Sequence, residues 1–223
     1  MKPIRFVCDF FSGLHCWTKP LNGLNVKIFS IDNNPEYMDH TTVIDDFLNL
    51  TAQDVIDYFG GRPHVIYASP PCTTFSVASI GAHWTGGKCA YIPKSEAAKK
   101  ALLLVKHMVD LINELNPDYY FIENPRGVLR KLGILNNLFD IQRHTVWYCQ
   151  YGETNGIKRA KPTDIWTNSK EWVPRPVCKN GNPECDHVRA PRGAKTGTQG
   201  MKGNAERSMI PLELCQEIAN SWV

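Results

Sequence analysis

Short apolar runs rich in β-branched and aromatic residues, each bounded by turn-forming residues, alternate along this chain with segments of helical period. Strands are predicted at residues 4–11, 26–31, 43–47, 65–68 and 119–122, the last two as buried core strands. Helices are predicted from near Trp17, over 51–59 with Thr51 as N-cap and Gly60-Gly61 as stop, and from Ser95 to about Leu115. In the third helix Leu102, Val105, Val109 and Ile112 share one face, while Lys99, Lys100 and Lys106 lie off it. The order β, α, β, β, α, β, α, β predicts an α/β domain with a doubly wound, mostly parallel sheet. Past Arg143 the pattern loosens: residues 144–149 and 163–167 read as a hairpin, 174–203 as irregular, and 209–222 as a closing helix with Pro211 in its first turn.

A length of 223 residues suits one domain with a substantial core, and 43% hydrophobic with 21% charged residues is a globular composition. No apolar stretch approaches the roughly 20 residues that span a bilayer, and the N-terminus carries no signal-peptide pattern. A reducing, cytoplasmic location follows as the expectation, with the eight cysteines read as thiols or metal ligands rather than a disulfide framework. Net charge is only +3, but residues 157–203 hold ten Lys or Arg against four Asp or Glu, which leaves the remainder at −3. A basic stretch of this kind, with Trp166 and Trp172 interleaved, suits a phosphate backbone, and equally a solvated loop face.

Candidate chemistry gathers where strands end. Val65 to Ala68 runs into Ser69-Pro70-Pro71-Cys72-Thr73-Thr74-Phe75-Ser76, where two prolines end the strand and aim one thiol away from the sheet. Ligands bind beyond the carboxyl ends of strands in open α/β sheets, so Cys72 is a candidate nucleophile, although a lone cysteine also reads as one more small buried hydrophobe. The irregular stretch from Ser76 to Pro93 after it is read as a lid. The first strand ends in Ser12-Gly13 and the second in Asp32, a glycine turn followed by an acid suited to ribose hydroxyls, although Asp32-Asn33-Asn34-Pro35 also reads as an Asx turn. The strand at 119–122 delivers Glu123-Asn124. Cys178, Cys185 and His187 cluster closely enough to bind zinc with Cys149 as fourth ligand, or to be unliganded thiols.

In this order and spacing the motifs resemble those of the cytosine-5 DNA methyltransferases. Phe10-Phe11-Ser12-Gly13-Leu14 is similar to the first motif, Asp32 to the second-motif acid, Ser69 to Ser76 to the Pro-Cys motif and Phe121 to Pro125 to the Glu-Asn motif. Gln150-Tyr151-Gly152 through Lys161 resembles the basic motif, and Gly203-Asn204 through Leu214 the final one. The resemblance implies a Rossmann-like fold using S-adenosylmethionine, with residues 1–165 and 203–223 as the catalytic domain and 166–202 as a short basic recognition segment, zinc-stapled if the cysteine cluster binds metal. It implies Cys72, Glu123, Arg159 and Lys161 as catalytic, and Phe11, Gly13, Asp32, Asp46, Pro70 and Asn204 as cofactor-binding. Ser76, Asn124 and Arg126 would meet the substrate. The implied substrate is a cytosine flipped from double-stranded DNA, methylated by a monomer in a bacterial or phage-infected cell.

Several positions depart from the family pattern. His15-Cys16 stands where more glycine is usual, Pro125 follows Glu-Asn in place of valine, and Lys161 occupies a common arginine position without arginine's bidentate fork. The span between the basic motif and Asn204 is too short for a large recognition domain, as in compact phage-type members. A tRNA cytosine methyltransferase, an enzyme using a modified donor and a non-catalytic binder remain compatible with the same core.

Overall fold

In the computed structural model, residues 4–86, 90–188 and 204–223 are described. The apolar runs become β1 (Arg5–Phe10), β2 (Val26–Asp32), β3 (Val43–Ile44) and β4 (Val65–Ala68). After them come β7 (Tyr119–Pro125) and the hairpin strands β8 (Gln142–Trp147) and β9 (Pro162–Thr167). These seven form one sheet in the order β3-β2-β1-β4-β7-β9-β8. The first five run parallel, and β9 and β8 close the edge antiparallel. All four residues of β4 are buried, as expected of a central parallel strand covered on both faces.

Two layers cover the sheet. On one face lie α1 (Ala52–Phe59) and α3 (Glu96–Leu115). Thr51 and Asp54 close a reciprocal capping box on α1, and the Ser95 hydroxyl accepts from the Ala98 amide to start α3, each cap contributing about 1 kcal/mol. Val105, Val109 and Ile112 are buried as predicted, joined by Met108, Leu111 and Leu115, whereas Leu102 is only partly covered. Against the other face pack Trp17, Leu21 and α5 (Leu212–Asn220), with Leu214, Ile218 and Trp222 buried. A short helix α4 (Asn204–Ser208) precedes α5, and Pro211 stands just before α5 as its N-cap rather than inside its first turn.

The structure corrects the pattern in several places. No α-helix begins near Trp17. Phe11, Gly13 and His15 adopt left-handed backbone conformations that a right-handed helix cannot accommodate, and the segment instead forms turns ending in a 3-10 turn at Lys19–Leu21. Residues 76–93 are not structureless, since they include α2 (Ile80–His83) and a small hairpin of β5 (Trp84–Thr85) with β6 (Ile92–Pro93). Strand β8 stops at Trp147, after which Tyr148–Tyr151 turns as a 3-10 helix. The hairpin strand expected at 163–167 is β9, whereas the irregular stretch expected from residue 174 already begins at residue 168, and residues 189–203 lie outside the described part. Among the described residues no helix is long and apolar enough to cross a membrane, and the seven cysteines there are free thiols.

Candidate active site

The chain leaves β4 at Ser69, whose amide still donates to the Phe10 carbonyl of β1 (3.1 Å). The prolines then turn it over the carboxyl edge of the sheet, and hydrogen bonds from several directions fix the turn. Trp17 Nε1 donates to Ser69 Oγ (2.9 Å), Asn124 Nδ2 to the Pro70 carbonyl (2.9 Å), Trp84 Nε1 to the Thr74 carbonyl (2.6 Å), and the Val128 amide to the Phe75 carbonyl (2.7 Å). The Cys72 carbonyl accepts from the Phe75 and Ser76 amides, both at 3.1 Å, which closes the turn around the thiol. At about 1 kcal/mol each, such bonds hold a loop that contains no regular element. Gly127 packs so tightly behind it that an added Cβ would lie 2.1 Å from the Phe75 carbonyl oxygen.

Glu123 lies within β7, one residue beyond the Ile122–Ala68 pair, at the same edge of the sheet. Because β9 runs antiparallel to β7, its start and the end of β8 reach this edge as well. They bring Lys161 and Tyr148, which are joined by a bond from the Tyr148 amide to the Lys161 carbonyl (3.1 Å). The buried Glu123 carboxylate accepts from the Tyr148 hydroxyl at 2.8 Å. Lys161 Nζ sits 4.7 Å from the centroid of the Tyr148 ring and donates to the Arg207 carbonyl (2.9 Å). Burial raises the Glu123 pKa, against the lowering influence of Lys161 and of the Tyr148 hydrogen bond. Burial also raises that of Cys72, where Lys161 pulls downward and Glu123 pushes upward. Thiol, carboxyl and ammonium thus form one electrostatic unit, in which a carboxylic acid can retain a proton and a cation favours the thiolate.

At the ends of β1 and β2 the Asp32 carboxylate serves the turn: Oδ2 accepts from the Gly13 amide and Oδ1 from the Asn34 amide, both at 2.9 Å. Each carboxylate oxygen keeps further acceptor capacity. Phe11, at φ 60°, lays its ring 4.2 Å from that of Phe47. Asp46 caps the turn at Phe47–Asn49 and pairs with Lys100 (2.8 Å). Asp9, in the middle of the sheet, is fully buried, and neither carboxylate oxygen meets a hydrogen-bond donor; Ser12 Oγ nearby is likewise unsatisfied. Burial first, and then Asp32, raises the Asp9 pKa well above the ordinary carboxyl value.

The structure therefore gathers Cys72, Glu123, Lys161, Asn124 and Pro70 at one place and Phe11, Gly13 and Asp32 beside it. The other expected residues have these partners. Arg159 pairs with Glu206 (3.9 Å), Arg126 is exposed with its amide on the Pro162 carbonyl, and Ser76 caps the short turn at Val77–Ser79. Asn204 begins α4, but its side chain lies outside the description. Cys149, Cys178, Cys185 and His187 converge as a group of their own. Sequence reasoning missed Tyr148, Asp9, Trp17 and Gly127. The acid inside the apolar run of β1 was the one available signal for Asp9, since a charge among buried positions requires a partner.

No family model matches the chain. It is 28% identical over 151 residues to the "Probable DNA (cytosine-5)-methyltransferase" of Frog virus 3 (isolate Goorha), covering 64% of this chain and 67% of that one. The fold is shared with solved methyltransferases. One, assigned as a DNA modification methyltransferase and encoded within an E. coli prophage, superposes with a TM-score of 0.54 at 16% identity over 79% of this chain. Another, the Entamoeba histolytica methyltransferase EhMeth, gives 0.52 at 15% identity over 79%. The chain spans 52% and 57% of the length of these two structures.

Proposed function

We propose that this chain, a relative of the cytosine-5 DNA methyltransferases, transfers a methyl group to C5 of cytosine in DNA, with Cys72 as covalent nucleophile. The observation that carries the proposal is the shared electrostatic environment of Cys72, Glu123 and Lys161 at the carboxyl edge of β4 and β7. C5 of cytosine is a poor nucleophile. Addition of the Cys72 thiolate to C6, with the proton of Glu123 delivered to N3, turns C5 into an enamine carbon. After methylation the N3 proton returns to Glu123, and loss of the C5 proton to a base expels the thiolate and restores the ring. Lys161 favours the thiolate before attack, and Tyr148 holds the Glu123 carboxyl in place. Because C6 is out of reach in a stacked duplex, the base is flipped into the site, and the basic residues after Ile157 supply phosphate contacts.

The residues fit S-adenosylmethionine. An orphaned buried carboxylate at Asp9 suits a cationic ligand group such as the methionine ammonium. Asp32 has acceptor capacity for the ribose, and the Phe11 ring offers a face to adenine. When bound, the cofactor supplies an electrophilic methyl group.

The test is incubation with methyl-labelled S-adenosylmethionine and DNA containing 5-fluorocytosine, beside Cys72→Ala and an RNA substrate. Fluorine at C5 cannot leave as a proton does, so the cycle stops at the adduct. A denaturation-resistant complex with DNA that needs both the cofactor and Cys72 is the expected result. No adduct on DNA despite cofactor binding would overturn the proposal, and an adduct on RNA alone would reassign the substrate.

A further inference from the structure

Cys149 and Cys178 are buried, yet neither joins the two apolar clusters into which Cys8 and Cys215 pack. With Cys185 and His187 they form a separate group whose ligand atoms all lie within 4.8 Å of one another. We propose that this group is a structural zinc site of Cys3His type.

A tetrahedral centre with Zn–S bonds of about 2.3 Å sets its sulfurs roughly 3.8 Å apart, so closure on a metal requires movements of under about 1 Å. Side-chain amides face all three sulfurs. Gln150 Nε2 lies 3.8 Å from both Cys149 Sγ and Cys185 Sγ, and Asn182 Nδ2 donates to Cys178 Sγ at 3.6 Å. Amide donors aimed at sulfur are the outer contacts that orient metal ligands and stabilise their charge. His187 presents Nδ1 to Cys178 Sγ (4.0 Å), while Nε2 accepts from the Gly181 amide (3.0 Å). Zinc on Nδ1 moves the ring proton to Nε2 and loosens the Gly181 contact, a change visible in the imidazole nitrogen signals. The three thiol protons pass to solvent.

The site also answers a structural need. Residues 168–188 contain neither helix nor strand, and a segment so poor in regular structure needs a staple to stay ordered. Zinc would tie it to the Tyr148–Tyr151 turn. It would also steady Lys158 and Arg159, since the Val188 amide donates to the Lys158 carbonyl (2.8 Å), Arg159 bridges to Val188, and Lys158 pairs with Asp186 (2.5 Å). The inference stands on this geometry and holds whichever substrate the carboxyl edge serves.

The experiment is elemental analysis of the full chain, purified without a metal-affinity tag, followed by cobalt titration of the chelator-treated protein and of Cys178→Ser. Expected are one zinc per chain, thiolate-to-cobalt charge-transfer bands with the visible bands of a tetrahedral centre, and loss of at least about nine-tenths of the metal in the variant. Because the cobalt titration uses the unaltered chain, a misfolded variant leaves the test intact. Wild-type protein without zinc that yields no thiolate–cobalt bands overturns the proposal, as does a disulfide among Cys149, Cys178 and Cys185.

Discussion

Gly127→Ala tests whether the position of Cys72 depends on contact between two loops rather than on the reacting groups alone. The added Cβ would lie 2.1 Å from the Phe75 carbonyl oxygen, against a practical limit of 3.0 Å, so about 0.9 Å must be found. Both atoms belong to backbone, and the same carbonyl accepts from the Val128 amide at 2.7 Å, so no flexible side chain can yield. The turn carrying Cys72 must therefore move away from β7 and Glu123. Overpacking of this kind costs about 1–3 kcal/mol. At about 2–4 °C per kcal/mol for a chain of this size, melting falls by roughly 2–12 °C. A displacement near 1 Å in a reacting pair costs roughly 100-fold in rate. Methyl transfer and thermal melting should be measured together with cofactor affinity, which should fall less than the rate because Phe11 and Asp32 lie at the ends of β1 and β2. A variant that keeps the native rate and melting temperature would refute the reasoning.

Two substitutions should move the Cys72 thiol in opposite directions. Lys161→Met removes the group that lowers its pKa and Glu123→Gln one that raises it, so the pH profile of alkylation at Cys72 should shift upward in the first and downward in the second. A shift of the same sign in both would contradict the electrostatic unit. For Asp9 the folded pKa lies above the unfolded one, so the folded state binds the extra proton and stability falls as pH rises from the ordinary carboxyl value through the raised one. Asp9→Asn should abolish that slope in the cofactor-free protein and weaken binding of S-adenosylmethionine; an unchanged slope in pH-dependent denaturation would show that the carboxylate is not the buried cost.

Features governed by neighbouring residues were legible in the chain. Strand periods, the Thr51 capping box, the Ser95 cap and the two prolines after β4 are local physics, and they placed Cys72 and Glu123 at strand ends. The false helix near Trp17 came from the same local view, because side-chain pattern does not reveal the left-handed backbone that the turn imposes on Phe11 and His15. What no spacing revealed were meetings across long stretches of chain. Tyr148 reaches Glu123, Lys161 reaches the thiol and Cys149 joins Cys178 only because β9 reverses direction against β7 and carries the following segment back. The tight seat of Gly127 is likewise a property of packing, which fills space with whatever folding brings alongside and leaves no mark at the residue itself, whereas the acid in the apolar run of β1 marked Asp9 but not its lack of a partner.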